Sequence, residues 1–137
     1  MATLSHGHEV LIAAPVEKVF RFVADLENLP HWVGPLKTSK KAGKGYSVTS
    51  KVLGQDVSSD LEVVENQANQ RLKYQASAPP STWTYQFQPV FGDHTAVKVV
   101  HDLGNAEPFG DGAEDHLQRH LEESLATLKR LMERSTY

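Results

Sequence analysis

Residues 12–32 read IAAPVEKVFRFVADLENLPHW, and this stretch decides the fold. Ala14-Pro15 predicts the start of a helix, because the fixed φ of proline suits the first helical position. One apolar stripe follows at the helical spacing i, i+3, i+4 and i+7, formed by Val16, Val19, Phe20 and Val23. Asp25 is suited to cap a second short helix, which Pro30 should disrupt before a turn at residues 31–35. Two short helices are therefore expected here.

Strands are expected on both sides of these helices. Residues 4–13 alternate with period two, and residues 36–103 alternate likewise in segments separated by turn signals such as Pro79-Pro80 and Gly92-Asp93. Short strands with short connections are typical of an antiparallel meander with one polar face. By parity, the inward face contains mostly apolar and aromatic side chains: Tyr46, Val48, Ser50, Val52, Val57, Ser59, Leu61, Val63, Leu72, Tyr74, Trp83, Tyr85, Phe87, Val97, Val99 and His101.

A long amphipathic helix is expected near the end of the chain. Asp111 and Glu114 form a capping pair, and the helix should run to about Arg134. Its apolar stripe consists of Leu117, Leu121, Leu125, Leu128 and Met132. A single-layer antiparallel sheet must cover its apolar face, and this helix has the stripe to do so. The predicted class is α+β, with a curved antiparallel sheet of about six to seven strands wrapped around the helix.

Length and composition exclude several classes of protein. The chain has 137 residues, 39% hydrophobic and 23% charged, which is typical of one globular domain spanning residues 1–137. It contains no cysteine, which excludes disulfide scaffolds, cysteine nucleophiles and cysteine-ligated metals. With a formal charge of −3, the chain lacks the excess of basic residues that is typical of a nucleic-acid-binding protein. No apolar run reaches the roughly 18 residues of a membrane span and no secretory signal precedes Glu9, so we expect a cytoplasmic protein.

The two segments 12–20 and 23–32, IAAPVEKVF and VADLENLPHW, resemble the opening of the START-like, or Bet v 1-like, superfamily (SRPBCC). Within it the resemblance is closest to the polyketide cyclase/dehydrase and lipid-transport group. The resemblance implies a helix-grip fold with a deep cavity between the sheet and the C-terminal helix. It also implies a hydrophobic or aromatic ligand, since members bind lipids, polyketides, quinones or plant hormones. Some members catalyse cyclisation or dehydration and others only bind or carry, so the fold does not decide the function.

The inward face of the sheet contains the candidate ligand-binding residues. An apolar wall with a few converging polar groups is typical of a small-molecule pocket, although a filled core with tyrosine hydroxyls at its rim would have the same pattern. Phe109 and Trp32 lie in segments suited to a pocket mouth, although Trp32 is better suited to anchor the short helices on the sheet. The candidate ligand-binding set is Tyr46, Ser59, Tyr74, Trp83, Tyr85, Phe87, Val99, His101, Phe109, Leu117 and Leu121.

Histidines are the candidate groups for proton transfer. His101 falls on the apolar face, where a neutral imidazole could act as acid or base, although a register slip of one residue would turn it to solvent. His6 and His8 share a strand face. In the fold that the resemblance implies, the first strand pairs with the last strand, which would bring His8 near His101. A three-histidine site would follow, but no carboxylate partner is evident and we expect no metal. His116 and His120 lie on the last helix, with His120 flanking the pocket and His116 in solvent.

Three functions are open at this point. The first is a protein that binds or transports a hydrophobic small molecule, lipid-like or polyketide-like, in the cavity between sheet and helix. The second is a polyketide aromatase/cyclase or dehydratase that uses His101 and the inward tyrosines as acid and base. The third is a protein-interaction module, which needs an exposed apolar patch. We expect no cofactor, no nucleic-acid partner and no stable membrane insertion, and either a monomer or a homodimer.

Overall fold

In the described part of the chain, seven strands and three helices follow the order that the hydrophobic pattern predicts. The computed structural model describes residues 4–33, 36–43, 45–52, 55–77, 80–91, 93–104 and 113–134. The strands are β1 (Leu4–Ile12), β2 (Leu36–Ala42), β3 (Gly45–Val52), β4 (Gln55–Gln67), β5 (Arg71–Ser77), β6 (Pro80–Val90) and β7 (His94–Leu103). The helices are α1 (Val16–Ala24), α2 (Leu29–Trp32) and α3 (Ala113–Glu133). The strands form one antiparallel sheet in the order β1-β7-β6-β5-β4-β3-β2, which with α3 is the predicted helix-grip fold.

The segment between β1 and β2 departs from the sequence prediction at both of its prolines. Pro15 is the N-cap of α1, one position before the first helical residue. The Asp25 side chain caps a 3₁₀ turn, Leu26–Asn28, by accepting a hydrogen bond from the Glu27 backbone N–H at 3.2 Å. Pro30 was expected to disrupt the second helix, but it lies in the first turn of α2, where no intrahelical bond needs its missing N–H. Consequently Trp32 belongs to α2 rather than to a turn.

The sheet register places the aromatic residues of the inner face in adjacent rows. His6 on β1 lies opposite His101 on β7, and His101 lies opposite Trp83 on β6. Trp83 in turn lies opposite Tyr74 on β5. The pairing confirms the predicted parity, because the buried strand residues alternate with exposed ones: Val48, Ser59, Leu61, Leu72, Tyr74, Tyr85, Phe87, Val97, Val99 and His101 are buried. The side chains of Ser50, Val52 and Val57 lie outside the described part.

Helix α3 covers one end of this face and is anchored at its C-terminus. Its stripe is buried at Leu121, Leu125, Leu128 and Met132, as predicted, and Ser124 is buried among them. The Lys18 ammonium of α1 donates to the Met132 and Arg134 carbonyls at 3.0 and 3.2 Å, which satisfies acceptors that the helix leaves unpaired. The predicted capping pair of α3 lies outside the described part, since Asp111 and the Glu114 side chain are not described.

None of the helices in the described part of the chain is long and apolar enough to cross a membrane.

Candidate functional site

A row of stacked rings forms the centre of the inner face. Trp83, Tyr85 and Phe87 alternate along β6 and therefore point to the same side of the sheet. Tyr74 stacks on Tyr85 with ring centroids 5.7 Å apart, and Tyr85 stacks on Phe87 at 6.5 Å. Trp83 lies 6.3 Å from Tyr74 and 3.7 Å from His101, nearly parallel to the imidazole at 9°. We call this surface the aromatic wall, formed by Tyr74, Trp83, Tyr85, Phe87 and His101.

Two hydroxyl groups meet within the aromatic wall. The Oη atoms of Tyr74 and Tyr85 are 3.0 Å apart, and both side chains are buried. Burial raises the pKa of both phenols, so both keep their protons at neutral pH. One of the two protons lies in the bond between the oxygens, and no described residue accepts the other. This hydroxyl pair can therefore donate a hydrogen bond to a ligand oxygen.

Trp32 adds a third polar donor beside this pair. Its indole ring meets the Tyr85 ring edge to face, with centroids 6.1 Å apart. The side chain is only 3% exposed, and its Nε1–H finds no hydrogen-bond acceptor among the described residues. A buried donor without a partner is uncommon in folded proteins, because leaving it unpaired costs free energy. Trp32 thus packs in the core, as an anchor residue would, with an N–H group for which the described residues provide no acceptor.

Two histidines meet at the β1 end of the aromatic wall. His101 is 3% exposed and its Nδ1 lies 2.8 Å from His6 Nε2. His6 is half-buried, and its Nδ1 lies 3.1 Å from Gln118 Oε1 on α3. The pKa of His101 is lowered to about 3, chiefly by burial and then by the positive charge that His6 can acquire. The nearby Asp102 carboxylate has a smaller, opposite effect and raises this pKa. His101 is therefore a neutral imidazole at neutral pH. We call His6 and His101 the histidine dyad.

The prediction that His8 approaches His101 is wrong. The β1–β7 register places His6 opposite His101 and His8 opposite Val99, so that His8 is displaced by two residues along the strand. His6 and His8 share a strand face, as predicted, but parity alone cannot select between them. The three-histidine arrangement is likewise absent, because no group of three or more side chains suited to a metal occurs among the described residues.

The other predicted ligand-binding residues, and the two histidines of the last helix, differ in burial and in whether they are described. Ser59, Val99 and Leu121 are buried on the inner face or the facing helix, and Leu117 is half-buried on α3. Phe109 lies outside the described residues, as does the His116 side chain. His120 is half-buried, as expected for a residue that flanks the apolar stripe. None of these placements tests a role in ligand binding, which stays a prediction.

Tyr46 lies apart from the aromatic wall. It borders a concavity of about 550 Å³ between α1 and the β4–β5 turn, which is also lined by Glu17, Phe20, Arg21, Ala24, Asp25 and Asn69. Burial, followed by the carboxylates of Asp25 and Glu27, raises the pKa of the Tyr46 phenol. The concavity is bordered by charged groups of both signs, so its lining differs from that of the aromatic wall.

Gln118 is a site residue that the sequence analysis did not identify. Its amide nitrogen donates to the Gly7 carbonyl at 3.1 Å and to Glu122 Oε2 at 2.9 Å, which leaves its oxygen facing His6. Gln118 lies three residues before Leu121 and seven before Leu125, so it occupies the helix stripe itself. A polar amide among leucines was the available signal.

Comparison with known proteins identifies solved structures that share this fold. No curated protein matches the chain. The Zhui aromatase/cyclase from Streptomyces sp. R1128 is 15% identical with a TM-score of 0.76, covering 99% of this chain and 97% of that one. A START superfamily protein from Mycobacterium smegmatis is 16% identical with a TM-score of 0.74, covering 93% and 97%. The di-domain ARO/CYC StfQ of the steffimycin biosynthetic pathway is 22% identical with a TM-score of 0.75, covering 96% of this chain and 45% of that one.

Identities this low show a shared fold, and the family follows from the sequence itself. The family model for polyketide cyclase/dehydrase and lipid transport matches residues 5–133. That match spans nearly the whole chain, and it agrees with the opening segments, the strand order and the long final helix. The chain belongs to the polyketide cyclase/dehydrase and lipid-transport family.

Proposed function

We propose that this chain binds or transports a hydrophobic small molecule with a flat aromatic or polyketide-like ring system, held between the aromatic wall and α3. The family supports the coarser statement of a role in hydrophobic-ligand binding or cyclisation. The observation that favours an aromatic ligand is the buried Tyr74–Tyr85 hydroxyl pair within a row of stacked rings. Rings offer stacking surface, and the pair offers one directed hydrogen bond.

The charges of the interior favour a neutral ligand over an anionic one. The buried polar residues of the described part are Ser39, Ser59, Thr95, His101 and Ser124, and none of them is a lysine or an arginine. A carboxylate placed there would have no counter-ion, and burying an unpaired charge is costly. His101 supplies no charge either, because its lowered pKa keeps it neutral. We therefore expect a neutral hydroxylated aromatic to bind more tightly than a fatty-acid anion.

Tryptophan fluorescence provides the test of this proposal. Both tryptophans of the chain, Trp32 and Trp83, lie in or against the aromatic wall, so a ligand there should change their emission. Titrating a dihydroxyanthraquinone and palmitate into the protein compares the two ligand classes. The double variant Tyr74→Phe/Tyr85→Phe keeps the rings but removes the donor, so it should bind the anthraquinone about five- to tenfold more weakly.

A matched control and a native-ligand search complete the experiment. Phe91 is 91% exposed at the β6–β7 turn, and Phe91→Ala should leave binding unchanged. Organic extraction of freshly purified protein with mass spectrometry should release an apolar compound in near-equimolar amount. Tighter binding of palmitate than of the anthraquinone would contradict the proposal. Failure of both probes together with an empty extract would also do so.

The alternative function, an aromatase/cyclase or dehydratase, is favoured by one specific observation. The neutral His101 imidazole lies at the aromatic wall, stacked on Trp83, where it can exchange a proton with a bound ring. The two wall tyrosines cannot act as the base, because burial raises the pKa of their phenols and keeps both hydroxyls protonated. His101→Phe separates the two functions, since a carrier keeps its ligand and an enzyme loses turnover while still binding.

Other parts of the functional hypothesis stay predictions. They are the single domain over residues 1–137, the cytoplasmic location, the monomeric or homodimeric state and the absence of a nucleic-acid partner. The protein-interaction hypothesis has the least support among the described residues, where the large exposed apolar side chains are Leu11, Val64 and Phe91, on three different elements.

A further inference from the structure

The proton positions in the histidine dyad follow from its hydrogen-bond partners. Gln118 Nε2 lies within bonding distance of the Gly7 carbonyl and the Glu122 carboxylate, both of which only accept, so the amide orientation is assigned from the network. Gln118 Oε1 therefore accepts from His6, which fixes the His6 proton on Nδ1. The other nitrogen of a neutral His6 has a lone pair and must accept from His101 Nδ1–H across 2.8 Å.

This assignment leaves one nitrogen of His101 as a base. With its proton on Nδ1, neutral His101 has its lone pair on Nε2. No residue of the described part forms a hydrogen bond with that nitrogen. One face of the imidazole lies against Trp83, and the side chain is buried on the same sheet face as the hydroxyl pair. His101 Nε2 is therefore on the inner side of the sheet.

The two histidines differ in how well they can hold a positive charge. His101 is buried against an indole ring, so an imidazolium there would lose most of its hydration. His6 is half-buried, and its Nδ1–H is bonded to Gln118, whose amide is bonded to the Glu122 carboxylate. Asp102, which follows His101 on β7, and His8, on the same face of β1, are two further titratable groups near the dyad. The charge is therefore stabilised better at His6.

We propose that His6 and His101 form a proton relay in which a proton enters at His101 Nε2 and the positive charge is held on His6. When Nε2 takes a proton, an N–H bond forms there, the N–H bond at His101 Nδ1 breaks, and that proton passes to His6 Nε2. His101 is then neutral again in its other tautomer, and His6 is the imidazolium. The reverse transfer returns the proton, so the relay needs no other reactant.

The relay changes what the aromatic wall presents to a ligand. Without the extra proton, His101 Nε2 accepts a hydrogen bond or takes a proton from an acidic O–H or C–H group. With it, the same atom donates. This consequence rests on the proposed function, whereas the relay itself is a property of the chain without ligand. It assigns His6 and Gln118 as positioning residues that act through His101.

Nitrogen NMR of the ligand-free full chain tests the relay. Long-range ¹H–¹⁵N spectra of the histidine rings distinguish a protonated nitrogen from one with a lone pair. At pH 8 we expect His101 protonated on Nδ1 alone, and near pH 5 protonated on Nε2 alone, while His6 becomes protonated on both nitrogens. His101 on Nε2 alone at pH 8, or an imidazolium at His101 while His6 stays neutral, would overturn the proposal.

Variants of Gln118 shift the relay in opposite directions. Gln118→Glu places a carboxylate beside His6 Nδ1, so the pH midpoint of the tautomer switch at His101 should rise by about 1 unit. Gln118→Leu removes the acceptor and should lower it. His8→Gln is the matched control on the same strand face; it removes an imidazole two residues further along β1 and should shift the midpoint less than either Gln118 variant. Equal midpoints in the two Gln118 variants would overturn the relay while leaving the ligand-binding proposal intact, because these spectra need no ligand.

Discussion

The hydroxyl pair and the histidine dyad are built alike and connected differently. Each joins two side chains of the inner sheet face by one hydrogen bond, of 3.0 Å between Tyr74 and Tyr85 and of 2.8 Å between His6 and His101. Both tyrosines are buried, and no described residue extends their bond outward. The histidine dyad continues through Gln118 to Glu122 at the exposed side of α3.

This difference determines what each pair can do. Burial favours the neutral form of every group, and so it raises the pKa of the phenols and lowers that of His101. Among the described residues nothing connects the hydroxyl pair to the surface, so both hydroxyls stay protonated and the pair can donate a hydrogen bond but not release a proton. The histidine dyad has a half-buried member where a charge can be hydrated, and so it can exchange protons. Whether a buried pair can transfer protons, or only bind a ligand, therefore depends on its connection to the surface and not on the hydrogen bond within the pair.

The largest expected effect is the loss of stability on truncating the hydroxyl pair. Tyr85→Ala removes a fully buried ring that contacts Tyr74, Phe87 and Trp32, and it should lower the free energy of unfolding by about 3–5 kcal/mol. Urea denaturation followed by circular dichroism measures this. Phe91→Ala, at an exposed aromatic, should change it by less than about 0.5 kcal/mol. Similar losses in the two variants would show that Tyr85 is not part of a packed core.

Acid should weaken the fold through the histidine dyad. The pKa of His101 is about 3 in the folded chain and 6.5 is its ordinary value, so between these pH values the unfolded chain binds a proton that the folded chain excludes. Stability is therefore complete above pH 6.5 and falls with pH, by up to about 1.4 kcal/mol per unit. From pH 6 to pH 4 the loss from this group should reach roughly 2 kcal/mol.

Variants separate this acid effect from that of the carboxylates. His101→Phe removes the titrating group and keeps a ring against Trp83, so its unfolding free energy should fall less steeply between pH 6 and pH 4. Tyr74→Phe alters only the hydroxyl pair and should keep the wild-type slope. If the unfolding free energy of His101→Phe fell as steeply with pH as that of the wild type, the lowered pKa of His101 would not be the cause of the acid effect.

Sequence patterns predicted the sheet faces because side-chain direction alternates strictly along a strand. Period two was sufficient to direct Tyr74, Tyr85 and His101 inward, and the helical period identified the buried stripe of α3. The opening segments predicted the family, which the match over residues 5–133 confirms. These features are local, so the sequence contains them directly. Pro30 was misjudged because its effect depends on which helical turn contains it.

The contacts between distant elements could not be predicted in the same way. His6 and His8 have the same parity, and only the β1–β7 register, set over the whole strand pair, selects His6 as the partner of His101. Gln118 reaches His6 because of the position of α3 along β1, which periodicity does not specify. The sequence therefore predicted the members of the aromatic wall but not the dyad that extends it.

A smaller effect should come from breaking the hydrogen bond of the hydroxyl pair alone. Tyr74→Phe leaves the Tyr85 hydroxyl buried without a partner and should cost about 1–2 kcal/mol of unfolding free energy. Adding Tyr85→Phe removes that unpaired group, so the double variant should be less destabilised than the sum of the single variants. Additive losses in this double-mutant cycle would indicate that the two hydroxyls act independently.

The smallest effect is expected at the outer member of the histidine dyad. His6→Ala leaves His101 Nδ1–H without its acceptor, but water can replace part of the half-buried side chain, so the loss should be about 1 kcal/mol at pH 7.5. His8→Ala removes the same side chain two residues away, opposite Val99, and should cost less than about 0.5 kcal/mol. Urea denaturation of the two variants in parallel measures the difference. Equal losses would mean that the His6–His101 bond contributes nothing beyond ordinary strand packing. A loss for His6→Ala as large as that for Tyr85→Ala would instead mean that the dyad is as inaccessible to water as the hydroxyl pair. The dyad would then have no route by which to exchange protons.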